Sequence, residues 1–356
     1  MTPQKILIIN IFGIGDVLFT TPLISNLKRH WPKCLIGYIA NGRTAILLEN
    51  NPQVDKVFIY DRDEYQTTYK QSKLQFFGKM RTALSEIKSE RYDLAIDLSL
   101  NSSVSFLMRL IGIKERMGFN YRNRSPFLTR KINLSGYEGR HVVEYYLDIL
   151  RELRVPVIDT ALKIYPSEVE QKWADDICER FYLLPEDLTV AVVPGGGDSW
   201  GKDAHFKRWP VEKYAQLADK MIEKFSAKII LMGNHSEIDL CSYVSRKMRG
   251  SCYDLSGQTS LHQMATFLKR CKLAVVNDGG PLHVAVASGV KTVSIFGPVD
   301  ENVYGPYPKA KHVVANKQIS CRPCYRHFRM AACEHHHCIN SLELEEVFRK
   351  VEQVLV

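Results

Sequence analysis

The stretch Gly13-Ile-Gly-Asp-Val17 follows the apolar run Lys5-Ile-Leu-Ile-Ile-Asn10, which places a carboxylate, Asp16, where a strand hands over to a helix. A carboxylate at a helix start accepts free backbone amides and is favoured by the helix dipole, each effect worth about 0.5–2 kcal/mol. At the carboxyl end of a strand it can also take a proton from an acceptor hydroxyl. The two roles are compatible, and Asp16 is the candidate general base.

Three further stretches carry the residue types of an anion and sugar site. Asn277-Asp278-Gly279-Gly280-Pro281-Leu282-His283 ends a strand in a carboxylate. Its glycines admit close backbone approach, and Pro281 fits the first helical position. The amides of that helix start suit a pyrophosphate. Asp278 can bind sugar hydroxyls, and His283 can donate to the same anion. Val193-Pro194-Gly195-Gly196-Gly197 is a flexible loop whose amides can wrap phosphate, with Lys207 or Arg208 supplying charge. In Met232-Gly233-Asn234-His235-Ser236-Glu237 the backbone at Met232 and Gly233 can carry a base, and Glu237 can accept from ribose hydroxyls. Ser236 and Glu237 equally make an ordinary helix start.

Of the nine cysteines, Cys321, Cys324, Cys333 and Cys338 crowd together near His327 and His335-His336-His337. These ligand types suit a tetrahedral site for structural zinc or iron, with four unligated thiols as the alternative. The other five are scattered and read as buried thiols.

The elements that must position these groups follow from alternation of short β-branched runs with segments of helical period, which specifies parallel sheets covered by helices. The first half supplies strands at 6–9, 34–39, 56–60 and 92–98. After a polar helix at 167–181 and Leu184-Pro185-Glu186-Asp187, strands recur at 189–193, 228–232, 273–277 and 292–296. Each half is a doubly wound unit, with ligands at the carboxyl ends of its strands. Two such units define a cleft. The expected boundaries are an acceptor-binding domain over 1–165, a donor-binding domain over 166–340 and a final helix over 341–356.

Composition narrows the class of function. The formal charge of +9 favours acidic partners, but the basic residues are scattered rather than striped, which argues against nucleic acid. No apolar run approaches the roughly 20 residues of a membrane span, and no basic start precedes an apolar leader, so a cytoplasmic location is expected. A dehydrogenase is disfavoured. Leu18 stands where the third fingerprint glycine would be, and the second strand ends in Ala40-Asn41 without an acid for ribose.

Taken together, Ile14-Gly-Asp-Val-x4-Pro22, Arg116-Met-Gly-Phe119, His141-x2-Glu144-x-Tyr146-Leu147, Pro-Gly-Gly-Gly with Lys-Arg-Trp-Pro, Asp278-Gly-Gly-Pro-Leu-His283 and Ile295-Phe-Gly-Pro298 resemble glycosyltransferase family 9, the heptosyltransferases of lipopolysaccharide core assembly. The resemblance runs in order along nearly the whole chain. It implies a GT-B fold with a last helix crossing back to the N-terminal domain. It also implies inverting transfer of heptose from ADP-heptose, with no catalytic metal or organic cofactor. The implied base is Asp16, and the donor contacts fall on Lys207, Glu237, Asp278, Gly280 and His283. Gly279 replaces a hydroxyl residue common in the family, so phosphate contacts there come from backbone.

The acceptor is then a lipid-linked anionic glycan at the inner face of the inner membrane. Gly15, Arg122 and Arg124 are its candidate contacts, the two arginines lying within a basic loop from Asn120 to Lys131. Transfer to a protein or another glycan, and a non-catalytic metal-binding assembly protein with the same shell, are the alternatives.

Overall fold

The computed structural model describes residues 2–356, which divide into two compact units. The first comprises the chain up to Tyr137 together with Val143–Thr160; the second comprises Glu138–Val142 and Ala161–Val356. The change of unit after residue 160 precedes the expected boundary at 165, because Leu162 and Ile164 are buried as the chain enters the second unit.

In the first unit the elements run β1 (Lys5–Ile9), α1 (Ile14–Phe19), α2 (Thr21–His30), β2 (Leu35–Ala40), β3 (Lys56–Ile59), α3 (Arg62–Gln71), α4 (Lys73–Ser89), β4 (Leu94–Asp97), α5 (Ser102–Leu110), β5 (Glu115–Tyr121), β6 (Arg130–Leu134) and α6 (Val142–Glu152). All six strands are parallel, in the order β3-β2-β1-β4-β5-β6. Ile6 to Ile9 are fully buried because β1 is central and covered on both faces, which is why it reads as one apolar run.

The second unit repeats the plan. It contains α7 (Glu168–Arg180), β7 (Thr189–Val193), α8 (Val211–Phe225), β8 (Lys228–Leu231), α9 (Ile238–Lys247), β9 (Cys252–Asp254), α10 (Leu261–Leu268), β10 (Leu273–Asn277), α11 (Gly280–Ser288), β11 (Lys291–Phe296), α12 (Glu301–Tyr304), β12 (His312–Asn316), the small hairpin β13 (Tyr325–Arg326) and β14 (Arg329–Met330), α13 (His337–Asn340) and α14 (Leu344–Leu355). Its parallel sheet has the order β12-β11-β10-β7-β8-β9. In each sheet the order reverses next to the first strand, between β1 and β4 and between β7 and β10, and such reversals open a crevice at the carboxyl ends.

Two expectations change. Each sheet has six strands rather than four. Of the extra ones β6, β9 and β12 are edge strands, short or half-exposed, such as Arg130–Leu134 with its leading Arg-Lys, while β5 is internal but begins Glu-Arg and ends Asn-Tyr, so none shows the apolar run of a central strand. The final helix, expected as a separate segment reaching back to the N-terminal domain, is instead built into the core of the second unit. Val347, Phe348, Val351 and Val354 of α14 pack there with Leu217, Met221, Val293 and Ile295. Lys220–Glu345, Lys224–Glu352 and Lys317–Glu346 ion pairs fix its polar side. No helix among the described residues is long and apolar enough to cross a membrane.

Candidate functional site

In the first unit, the loop after β1 is held by two asparagine side chains. The Oδ1 of buried Asn10 accepts from the Phe12 amide at 3.1 Å, and its Nδ2 donates to the Asp16 carbonyl at 3.1 Å. Asn41, at the end of β2, donates to the carbonyls of Ile11 and Phe12. The sequence reading used Asn41 only to exclude a ribose acid, so this anchoring role was missed. Asp16 then closes the first turn of α1, its Oδ2 accepting the Gly13 amide at 3.1 Å. Gly15 lies in the same turn.

Asp16 is half-buried, with buried Tyr38, Tyr137 and Tyr146 close enough to feel its charge. Burial raises all three phenols above their ordinary range, and the Asp16 carboxylate adds to the rise. They therefore stay protonated and are not rival bases.

Beside this loop, at the β1/β4 reversal, lies a cavity of about 370 Å³ lined by Ile11, Phe12, Tyr60, Arg62, Ser99–Ser102 and Arg124. Ser99 of this lining is held by buried Asp97, whose Oδ1 accepts from the Ser99 amide at 2.9 Å and the Ser99 hydroxyl at 2.6 Å. The Ser99 hydroxyl accepts the Asn101 amide at 3.3 Å, and Asn101 caps α5. Burial pushes the Asp97 carboxyl up to about 6, against the lowering effect of the Ser99 hydrogen bonds.

Of the expected acceptor arginines, Arg124 lines this cavity. Arg122 does not line it; its guanidinium lies 5.1 Å from the Tyr121 ring centre. The expected basic loop is shorter than 120–131, because β5 runs to Tyr121 and β6 begins at Arg130. Arg62, the first residue of α3, is a cavity residue that sequence reasoning missed; its signal is its place directly after the Asp61 cap at the end of a strand.

In the second unit the β7/β10 reversal gathers the predicted donor residues. Asn277 donates to the carbonyls of Pro194 and Gly195 at 2.8 and 2.9 Å, while its Oδ1 accepts from the Trp209 amide and the Tyr214 hydroxyl. This ties the glycine loop to the end of β10. The two glycine turns nearly touch, since a Cβ on Gly279, at φ +157°, would stand 3.0 Å from the Gly197 amide nitrogen.

Lys207 and Asp278 form a buried ion pair at 2.8 Å, their side chains 10% and 3% exposed. The same ammonium lies 4.3 Å from the Trp200 ring centre. At the start of α11, burial first, then the charges of His141 and Lys207, drive the His283 imidazole down to about 3. His283 is thus neutral at pH 7 and can offer an anion one ring N–H but no charge. Gly280 opens that helix.

Glu237 serves the helix start that the sequence also offered, in a capping box with Asn234. It is buried, its Oε1 accepting the Gly196 amide at 2.5 Å and its Oε2 the Asn234 amide at 2.9 Å. Arg208 completes the tie, donating to the Gly196 carbonyl at 2.9 Å and reaching Glu237 at 3.4 Å. Only glycine fits at 195, because a Cβ there would collide with the Glu237 carboxylate. Met232 is fully buried, and Gly233 accepts the Gly257 amide, so both present backbone only beside this loop.

The cysteine cluster does not form the expected tetrahedral set. Among the described residues no three of His, Cys, Asp and Glu gather as a metal-ion site. The Cys324 thiol donates to the Cys321 carbonyl at 2.9 Å, Cys333 sits 4.0 Å from His335 Nδ1, and Cys338 is buried. Burial, and then the neighbouring cysteines, raise Cys338 to about 11. The segment instead braces its surroundings. Arg322 grips the carbonyls of Gly297 and Val299 and the carboxylate of Glu301, and Tyr325 packs 4.9 Å from Trp200.

With this geometry in hand, comparison with known proteins gives a consistent result. Residues 80–334 match the family model described as glycosyltransferase family 9 (heptosyltransferase). The chain is 25% identical over 302 residues to lipopolysaccharide heptosyltransferase 3 of Escherichia coli K12, covering 82% of each sequence. Among solved structures it is similar to the glycosyl transferase family 9 protein from Veillonella parvula, with a TM-score of 0.79, 23% identity and coverage of 99% and 97%. For the E. coli ADP-heptose lps heptosyltransferase II, the TM-score is 0.75 at 22% identity, covering 99% and 98%.

Proposed function

Because this chain belongs to glycosyltransferase family 9 (heptosyltransferase), we propose that it moves heptose from ADP-heptose to a sugar hydroxyl of the lipopolysaccharide inner core, with inversion at the anomeric carbon. The observation that carries this reading is the β7/β10 crevice. There a glycine loop, a helix start and the buried Lys207–Asp278 pair supply amides and one ammonium where a diphosphate can be held.

In this mechanism Asp16 takes the proton of the acceptor hydroxyl. The oxygen forms a bond to the anomeric carbon while the bond from that carbon to the β-phosphate oxygen breaks, and the electron pair leaves with ADP. Lys207, the amide at Gly197 and the start of α11 stabilise the charge that develops on the diphosphate. Glu237 and Arg208 hold the glycine loop in shape, and Asp278 orients Lys207 and is available to sugar hydroxyls.

The acceptor is a lipid-linked anionic glycan. Its phosphate or carboxylate groups meet Arg62 and Arg124 in the cavity beside Asp16, and the protein works at the inner face of the inner membrane. The test is a transfer assay with ADP-heptose and lipopolysaccharide core acceptors, alongside a thermal-shift comparison of ADP, UDP, GDP and NAD. Transfer with ADP as the nucleotide giving the largest shift is expected. No shift with any nucleotide overturns the donor assignment, and transfer only to protein overturns the acceptor.

A further inference from the structure

Helices α3 and α4 meet at Ser72, which ends the first and caps the second, with Ser72 Oγ accepting the Gln75 amide at 3.3 Å. Ile87 of α4 is buried in the core, with Leu84 packed against it. The outer side of the pair has a different composition. Leu74 is 85% exposed, Phe77 62% and Tyr69 46%. Lys73, Phe77 and Arg81 recur at a spacing of four, so they share one stripe of α4, with Leu74 beside it.

From Tyr65 to Ser85 the chain carries Lys70, Lys73, Lys79 and Arg81 and no Asp or Glu. Of the flanking acids, Glu64 pairs with Lys79 of the stretch itself, and Glu86 and Glu90 pair with Lys56. The aromatic residues also run without a break from the cavity wall to the surface. Tyr60 stacks on Tyr65 at 4.8 Å, Tyr65 meets Phe76 at 6.1 Å, and Phe76 meets the exposed Phe77 at 5.3 Å.

We propose that the outer face of α3–α4 docks on an anionic lipid bilayer, with Leu74, Phe77 and Tyr69 entering the headgroup boundary and Lys70, Lys73 and Arg81 pairing with lipid phosphates. Apolar tips ringed by cations without acids are the composition of an interfacial helix, and each cation near an anionic surface adds to binding. The face is continuous with the cavity through Arg62 and Tyr60, so docking brings the acceptor cavity close to the headgroup plane. This rests on the reading that the acceptor is lipid-linked.

The test is cosedimentation of the full chain with vesicles of phosphatidylethanolamine containing a minority of phosphatidylglycerol, compared with pure phosphatidylcholine vesicles. Binding to the anionic vesicles that weakens with salt is expected. Leu74→Glu with Phe77→Glu is expected to weaken it by roughly tenfold or more, and Lys70→Glu with Lys73→Glu by a similar factor. Both pairs should keep the wild-type melting temperature and wild-type turnover of a deacylated, water-soluble core acceptor.

Wild-type protein that stays in the supernatant, or variants that sediment like wild type, overturn the proposal. So does a wild-type dimer that the Leu74→Glu, Phe77→Glu variant splits, since the face would then be a contact between copies. Vesicle binding by a wild-type protein that does not glycosylate the soluble acceptor leaves docking intact and overturns only the transfer reading.

Discussion

The Nζ of Lys207 and the Oδ2 of Asp278 lie 2.8 Å apart in a nearly water-free setting, at the point where the loop after β7 and the loop after β10 converge. Removing one partner of a buried pair strands the other charge, which costs about 3–5 kcal/mol, whereas removing both costs much less. Lys207→Met should therefore lower the melting temperature and reduce kcat/KM by roughly a hundredfold or more. Adding Asp278→Asn should restore most of the melting temperature but not the rate. Rescue of the rate would remove Lys207 from the diphosphate site.

Asp16→Asn separates a cap from a base. The amide oxygen of asparagine can still accept the Gly13 N–H, so folding and ADP binding should be unchanged. Loss of the proton acceptor should lower kcat by roughly 10²–10⁴-fold. A variant that transfers at the wild-type rate leaves Asp16 as a helix cap alone.

Glu237 holds two backbone amides and faces Arg208. Glu237→Ala leaves the Gly196 and Asn234 amides unsatisfied, at about 1–3 kcal/mol each. Calorimetry should find both a lower melting temperature and ADP affinity weakened by tenfold or more, roughly. Unchanged ADP affinity would mean that the glycine loop does not touch the nucleotide.

Asp97 makes the stability depend on pH in a defined direction. Its folded-state value is raised from 3.8 to about 6, so the folded chain keeps a proton that the unfolded chain has lost. The contribution is full below pH 3.8 and fades as pH rises through about 6. Asp97→Asn keeps an acceptor for Ser99 without the buried charge, so it should gain up to about 3 kcal/mol on wild type between pH 4 and pH 7. Denaturant melts at the two pH values check this, and a constant difference contradicts it. His283 acts in the other sense. Its folded value is depressed from 6.5 to about 3, so its contribution is present above pH 6.5 and is lost as pH falls towards 3.

The central strands and the turns after them were legible in the sequence. A run such as Thr189–Val193 must be apolar when covered on both faces, and glycine with Asp or Asn must follow where backbone approaches a ligand. Flanking strands such as His312–Asn316 were not legible, since a strand paired on one side tolerates polar residues. The positions of Asp278, Lys207 and the three-glycine loop were anticipated. Their supports Asn10, Asn41 and Asn277 were not, because an asparagine that pins a loop looks like any turn asparagine until its partners are known. Glu237 illustrates the limit in the other direction. The helix start was read from its own stretch, but that the same carboxylate also holds the Gly196 amide depends on a contact made across 41 residues of chain.

The docking of α14 on the second unit has a consequence for where the chain can be cut. Four apolar side chains of this helix are buried there, each contributing about 1.5–3 kcal/mol, a sum comparable to the whole stability of a typical domain. The nucleotide-holding half is thus completed by its own last twelve-residue helix rather than by a segment lent to its neighbour. A fragment from Glu138 to Val356, which holds every segment of the second unit, should be a self-sufficient folding module, whereas one that stops before Leu344 should aggregate when expressed, an outcome that gel filtration of the two fragments would read directly.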